Sequence, residues 1–309
     1  NMIKGWEWIR NAFPEPFCRI FSTQFLEIQQ IEEIRMRADK PIFLKRFGKE
    51  VPLSVFLKKN DEQKMLHCVT EQQINTFLGR VAGESLYSYE NEVCQCYLTA
   101  AGGHRIGLCG RAAVVDGQVK TLVPIRSCCI RIAAEHPGCS STLLPYLKKE
   151  DESFHSTLLL SPPGEGKTTL LRDLICQSGK TAQSAVVIDE RGELSGGGIL
   201  SLGDHADVLE NYPKEEAMML ALRTMGPQIL AVDEIGAEAE RKALLDAVFG
   251  GVTLFCTAHA NSLQDYEQRP LLHALAQQEA FSRIVLLHRT EYQVYDGKLS
   301  FLGKVENRW

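Results

Sequence analysis

Between Ser161 and Thr169 the chain reads SPPGEGKTT, the spacing of a phosphate-binding loop, G-x-x-x-x-G-K-[ST], with serine in place of the first glycine. The apolar stretch TLLLS leads into it, and LLRDLICQSG, with helical periodicity, leaves it. That setting predicts a nucleotide contact along Pro163, Gly164, Glu165, Gly166, Lys167, Thr168 and Thr169. Backbone N–H groups at a helix N-terminus wrap phosphates, Lys167 would neutralise β- and γ-oxygens, and the Thr168 hydroxyl would serve Mg2+. The first glycine of such a loop eases the turn out of the strand. Serine there costs about 1 kcal/mol if its φ is positive and little otherwise, so the loop is expected to be intact.

Three further stretches end in polar residues that suit phosphate chemistry. ILAVDEIG places Asp233 and Glu234 after four apolar residues, at the strand end where open parallel sheets bind ligands. Asp233 is expected in the Mg2+ shell, and Glu234 is expected to orient and deprotonate an attacking water. VVIDERGEL ends a second strand with Asp189, Glu190 and Glu193, which either cap that strand beside Arg191 or join the chemistry. TLFCTAHANS ends a third with His259 and Asn261, and a histidine there could sense a γ-phosphate. Upstream, Arg105, Arg111, Arg126 and Arg131, with His104 and Lys120, share a stretch whose sole acid is Asp116. Uncompensated guanidinium groups seek phosphate or carboxylate: nucleic acid, or a nucleotide held by a neighbouring subunit. A solvated basic face is the bland alternative.

The elements that must carry these residues change texture along the chain. IEEIRMRADKPIFL suggests a short helix or strand, a turn at Asp39-Lys40-Pro41 and an extended segment. TEQQINTFLGRVAG predicts a helix capped by Thr70 with Ile74, Phe77, Leu78 and Val81 on one face. EVCQCYLTA, HRIGLCGRAAVV and QVKTLVPIR predict antiparallel strands joined at Gly102-Gly103 and Asp116-Gly117. From residue 157, TLLLS, SAVVID, QILAVD, VTLFCTAH and RIVLLH are nearly continuous apolar runs, as in strands buried on both faces of a helix-covered parallel sheet. YQVYDGKLSFLG closes the chain as a hairpin. The expected organisation is an N-terminal mixed α/β domain over 1–134 and a RecA-like α/β domain over 135–309. HPGCSSTLLPYL is expected to form a helix leading into the latter.

Composition narrows the function classes. The chain has 309 residues, 44% hydrophobic and 24% charged, enough for two domains with real cores. A net charge of −5 argues against a whole-chain electrostatic grip on nucleic acid, and no aromatic residue lies between Arg105 and Arg131 for base stacking. The ten cysteines are scattered without a C-x-x-C pair, which predicts free thiols in a reducing cytoplasm. No apolar run approaches the ~18–20 residues of a membrane span, and NMIKGWEWIRNAF lacks the apolar core of a signal peptide.

The phosphate loop, VVIDERGEL, ILAVDEIG and TAHANS resemble, in that order, the Walker A, Asp box, Walker B and His box of the type II/IV secretion ATPases. GGHRIGLCGR resembles the arginine-bearing strands those ATPases place before Walker A. More narrowly, EEIRMRADKPIFL, GGHRIGLCGR, IDERGEL, MGPQILAVDEIG and TAHANS are similar to the stage III sporulation AA family of endospore-forming bacteria. The resemblance covers about residues 30 to 290. It implies an ATP- and Mg2+-dependent, ring-forming homo-oligomer, hexameric in the family. It also implies a cytoplasmic, mother-cell position where the ring energises a membrane-embedded, secretion-like channel. The four arginines become candidates for contacting nucleotide in trans, and Glu190 or Glu193 rivals Glu234 as the base. Two departures stand out: Ser161, and IGAEAE, which lacks the basic residue expected soon after the Walker B acids.

Overall fold

The computed structural model describes residues 6–23, 31–46, 48–56, 68–83, 93–100, 102–115, 117–133, 136–196, 198, 200–288 and 290–307. Two compact units emerge, Asn1–Glu135 with Gly196–Leu200, and His136–Ser195 with Ser201–Trp309. The expected boundary near residue 134 and the turn residue Asp116 lie outside the described residues.

The first unit holds α1 (Trp6–Ala12), α2 (Phe17–Thr23), β1 (Glu33–Arg37), β2 (Phe43–Arg46), β3 (Lys49–Pro52), α3 (Glu71–Val81), β4 (Tyr97–Ala100), β5 (His104–Val115) and β6 (Gln118–Arg131). Its six strands run in the order β3-β2-β1-β6-β5-β4, each pair antiparallel. The segment with an open choice of helix or strand is therefore strand β1, whose Ile34 and Met36 point into the core. Helix α3 begins at Thr70, whose hydroxyl accepts from the Gln73 amide at 3.1 Å while the Gln73 side chain accepts from the Thr70 amide at 2.9 Å. Ile74, Phe77, Leu78 and Val81 are buried, and Phe77 meets the ring of Phe13 at 4.7 Å. Past Leu108 the residues of β5 are exposed, while Leu122 and Ile125 of the facing strand β6 still reach the core.

The second unit is built from α4 (Leu144–Leu147), β7 (Thr157–Ser161), α5 (Lys167–Gly179), β8 (Ala185–Asp189), β9 (Ala206–Glu210), α6 (Lys214–Thr224), β10 (Ile229–Val232), α7 (Arg241–Phe249), β11 (Thr253–His259), α8 (Leu263–Gln268), α9 (Pro270–Gln277), β12 (Arg283–Leu287), β13 (Glu291–Asp296) and β14 (Phe301–Glu306). The sheet order is β14-β13-β12-β7-β11-β10-β8-β9, parallel from β12 to β9, with β13 and β14 added antiparallel. Alternate residues of each inner strand feed opposite cores. Leu158, Leu160, Val186, Ile188, Leu230 and Val232 face one layer, and Leu159, Ala185, Val187, Ile229 and Ala231 face the other. This is the RecA-like arrangement, and it explains the unbroken apolar runs.

Two elements differ from the sequence reading. HPGCSSTLLPYL forms turns and only the one-turn helix α4, with Pro145 in its first turn. The buried Asp173 carboxylate holds those turns by accepting from Gly138 N at 2.7 Å, Ser140 N at 2.8 Å and the Ser140 hydroxyl at 2.5 Å. Strand β9 was not foreseen. It is a short edge strand with no fully buried residue, so its sequence, ADVLE, lacks the apolar signature of its neighbours.

Replacing Thr70 by Ala removes the reciprocal cap of α3. We expect the first unit to lose about 1 kcal/mol in urea unfolding, with the transition slope unchanged.

Candidate nucleotide-binding site

In a sheet buried on both faces, only strand ends reach solvent, so polar chemistry gathers at the C-terminal edge. Ser161 ends β7 directly opposite His259, which ends β11. Asp233 and Glu234 follow β10, and Asp189 ends β8. Parallel register thus brings to one edge all four stretches singled out above.

Pro163 to Gly166 form the loop, and Lys167, Thr168 and Thr169 form the first turn of α5. Gly164 has φ +82° and Gly166 φ +87°, values that favour glycine. Ser161 is not among the residues of positive φ, so serine carries no backbone penalty. Its hydroxyl donates to Pro162 O at 2.8 Å. Lys167 is buried, and its Nζ lies 3.0 Å from Ser161 O, 3.2 Å from Ser161 Oγ, 3.1 Å from Pro162 O and 3.0 Å from His259 Nδ1. Burial pushes the ammonium pKa down, opposed by Asp233, Glu234 and Glu165.

An ammonium can only donate, so His259 Nδ1 must accept from Lys167. The ring proton then sits on Nε2, which donates to Glu234 Oε1 at 3.0 Å. Arg191 Nη1 donates to the other oxygen, Oε2, at 2.9 Å. Burial acts to raise the Glu234 carboxyl, but Arg191, the His259 hydrogen bond and Lys214 outweigh it and hold it below the ordinary value. Glu234 has φ +54°, a left-handed conformation that a side chain disfavours. Its main chain is pinned there: N–H donates to Thr257 Oγ1 at 2.8 Å and C=O accepts from Lys214 Nζ at 2.8 Å.

Asp233 accepts from Thr168 Oγ1 at 2.8 Å and from the Thr257 hydroxyl. Among the described residues it has no ion pair, and burial pushes its carboxyl above the usual range against the pull of those hydroxyls. A hydroxyl and a carboxylate side by side are hard oxygen donors that fit Mg2+. Among the described residues no three His, Cys, Asp or Glu side chains cluster as a protein-only metal cage.

The other acids share the cleft lined by Asp189, Glu190, Arg191, Glu193, Lys214, Asp233 and Glu234. Asp189 is a loop anchor: its buried carboxylate accepts from Glu193 N at 2.9 Å, Leu194 N at 3.1 Å, Ser195 N at 2.8 Å and the Ser195 hydroxyl at 2.8 Å. Glu190 pairs with Lys214 at 3.6 Å. The Glu193 carbonyl accepts from Arg172 Nη2 at 2.7 Å. Arg172, Asp173, Lys214 and Thr257 were missed in the sequence because their work is done across the tertiary fold. Asn261 stands just before Ser262, the cap of α8, and its N–H donates to Asp265 Oδ2 at 2.9 Å.

The arginine set belongs to the first unit, and local counting of charges misjudged it. Arg126 pairs with Glu71 of α3 at 3.4 Å, and Arg131 lies 3.8 Å from Glu33 of β1. Arg105 stacks 4.5 Å over the Tyr97 ring. His104 is buried and accepts the Ala133 N–H at Nδ1 (3.0 Å), so it does not extend a basic face. Arg111 and Arg126 line an open groove of about 380 Å3 with Cys109, Gly110, Pro124 and Ser127. All ten cysteines are thiols, none joined in a disulfide.

A family model described as "Sporulation stage III, protein AA" matches residues 6–298. The chain belongs to that family. Stage III sporulation protein AA of Bacillus subtilis (strain 168) is 38% identical over 304 residues, covering 94% of this chain and 92% of that protein. Among solved structures, that of the pilus retraction motor PilT and bound ADP aligns with a TM-score of 0.57 at 16% identity, covering 87% of this chain and 76% of that one. The ATPase DotB of Legionella pneumophila aligns with a TM-score of 0.51 at 14% identity, over 91% and 76%. At such identities these two share the fold with this chain. Among the described residues no helix is long and apolar enough to cross a membrane.

The raised Asp233 carboxyl gives a pH-dependent expectation. A folded state that binds this proton more tightly than the unfolded chain loses stability as pH rises from the unfolded value through the folded one. In nucleotide-free protein, Asp233→Asn should therefore be more stable at neutral pH, by on the order of 1 kcal/mol and with a higher melting temperature, the gain fading in acid. Thermal scans across pH check this.

Proposed function

We propose that the chain is a Mg2+-dependent ATPase that works as a ring and energises a membrane-embedded channel in the family's sporulation role. The observation that carries this reading is the unbroken contact chain from Lys167 through His259 to Glu234, beside the Thr168–Asp233 pair. The structure of PilT, which shares this fold, contains bound ADP, and that supports nucleotide at this edge.

In this reading the loop amides and Lys167 receive the phosphates, Lys167 exchanging the carbonyls of Ser161 and Pro162 for phosphate oxygens. Thr168 and Asp233 hold Mg2+, which neutralises phosphate charge when bound. Glu234 accepts the proton of the attacking water. His259, which touches both Lys167 and Glu234, reports whether the lysine is engaged. Glu190 and Glu193 are the rival bases; Glu234 is preferred because it alone of the three touches His259, and through it Lys167. Arg105, Arg111, Arg126 and Arg131 are candidates for contacting a nucleotide held by the next subunit, with Arg111 the foremost because it has no ion pair among the described residues. The same pairings take charge away from a nucleic-acid grip. A hexameric ring on the mother-cell side of the membrane, working on channel proteins, is the assembly this implies.

Lys167→Ala and Glu234→Gln should each leave circular dichroism unchanged and lower kcat by about 100-fold or more. Normal turnover by Glu234→Gln would move the base role to Glu190 or Glu193. Mixing Lys167→Ala with Arg111→Ala subunits should restore activity that neither has alone; a fully active monomer would refute the arrangement in trans.

A further inference from the structure

Glu234 is held in a way that does not suit a working base. Both carboxylate oxygens already accept hydrogen bonds, one from His259 and one from Arg191. Its main chain is fixed by Thr257 and Lys214, so the carboxylate can be freed only by moving its side-chain partners. His259 is tied in turn to Lys167. Arg191 stands at the far end of this chain, on the loop that Asp189 and Arg172 hold in place. Its side chain is 54% exposed, against 28% for Glu234. A half-exposed pair of this kind is weak and easily exchanged. A guanidinium offered a phosphate with several acceptor oxygens has a strong alternative partner.

We propose that Arg191 is an inhibitory positioning residue that parks Glu234 until nucleotide arrives. This rests on the reading of Glu234 as the base. In the nucleotide-free protein Arg191 occupies Oε2, and through His259 the phosphate-binding lysine occupies Oε1. Phosphate draws Lys167 away from His259 and competes for Arg191, so both oxygens are released by one event. The base is thereby withheld from water while the site is empty and offered once phosphate is in place.

The test uses the full chain with Arg191→Gln, Arg191→Lys, Glu234→Gln and the Arg191→Gln/Glu234→Gln double variant. Because breaking the pair is part of the cost of binding, Glu234→Gln should bind AMP-PNP with Mg2+ roughly two- to five-fold tighter than wild type, the scale of a part-exposed ion pair, and that gain should shrink in the Arg191→Gln background. Arg191→Lys, which keeps the charge, should bind AMP-PNP as wild type does. Thermal unfolding of wild type, both single glutamine variants and the double should show coupling between 191 and 234 without nucleotide, and none with the non-hydrolysable analogue AMP-PNP and Mg2+. Equal or weaker AMP-PNP binding by Glu234→Gln, or 191–234 coupling that is absent without nucleotide or persists with AMP-PNP, overturns the clamp while leaving the ATPase reading standing. Wild-type protein that neither binds AMP-PNP nor turns over ATP overturns both.

Discussion

The ammonium of Lys167 is out of water at the start of a helix, and a buried ammonium must find acceptors or lose its charge. It finds them in the carbonyls of Ser161 and Pro162, the hydroxyl of Ser161 and a ring nitrogen of His259. Each acceptor depends on a different level of structure. The two carbonyls require the chain to curl back after β7, which the left-handed Gly164 and Gly166 permit. The histidine requires β11 to lie beside β7 in the register that sets His259 against Ser161. The loop is already curled around its lysine, so a phosphate bound in the proposed way would find little ordering entropy left to oppose it.

The same helix fastens the surroundings. Arg172 and Asp173 are adjacent on α5 yet serve opposite loops. Arg172 donates to the carbonyls of Glu193 and Leu194, at 2.7 and 2.8 Å, while Asp173 organises residues 138–140. The acidic loop is thus gripped twice, by helix α5 and by the Asp189 carboxylate at its own strand end. A displacement of α5 would be felt directly by the loop that carries Glu190, Arg191 and Glu193. Thr257 plays a comparable part within the sheet, since one hydroxyl touches the Asp233 side chain and the Glu234 amide together.

What could be read from the sequence follows from how local each signal is. The five apolar runs that end in polar residues were legible because burial on both faces forces continuous hydrophobicity and leaves only the strand ends for chemistry. Helix α3 was legible through its capping residue and apolar spacing. Strand β9 was not, because a half-exposed edge strand needs no apolar run. The helix expected over HPGCSSTLLPYL was not realised, because a carboxylate 33 residues ahead of Ser140 organises the turns instead. The partners of Arg126 and Arg131 come from α3 and β1, so no count of acids within residues 104–131 could have found them.

Three costs converge at this sheet edge. Lys167 is buried, Asp233 is buried without an ion pair among the described residues, and Glu234 has a backbone angle that its side chain disfavours. None serves the fold, since an apolar or neutral residue would suit each place better. They persist because the register of six parallel strands and two flanking cores over-determines where these positions lie. A triphosphate and a divalent cation would relieve the first two costs, supplying anionic oxygens to the lysine and positive charge to the aspartate. Strain that a ligand can relieve favours the liganded state, so the features that make the empty edge expensive are the same ones that would select nucleotide with its metal.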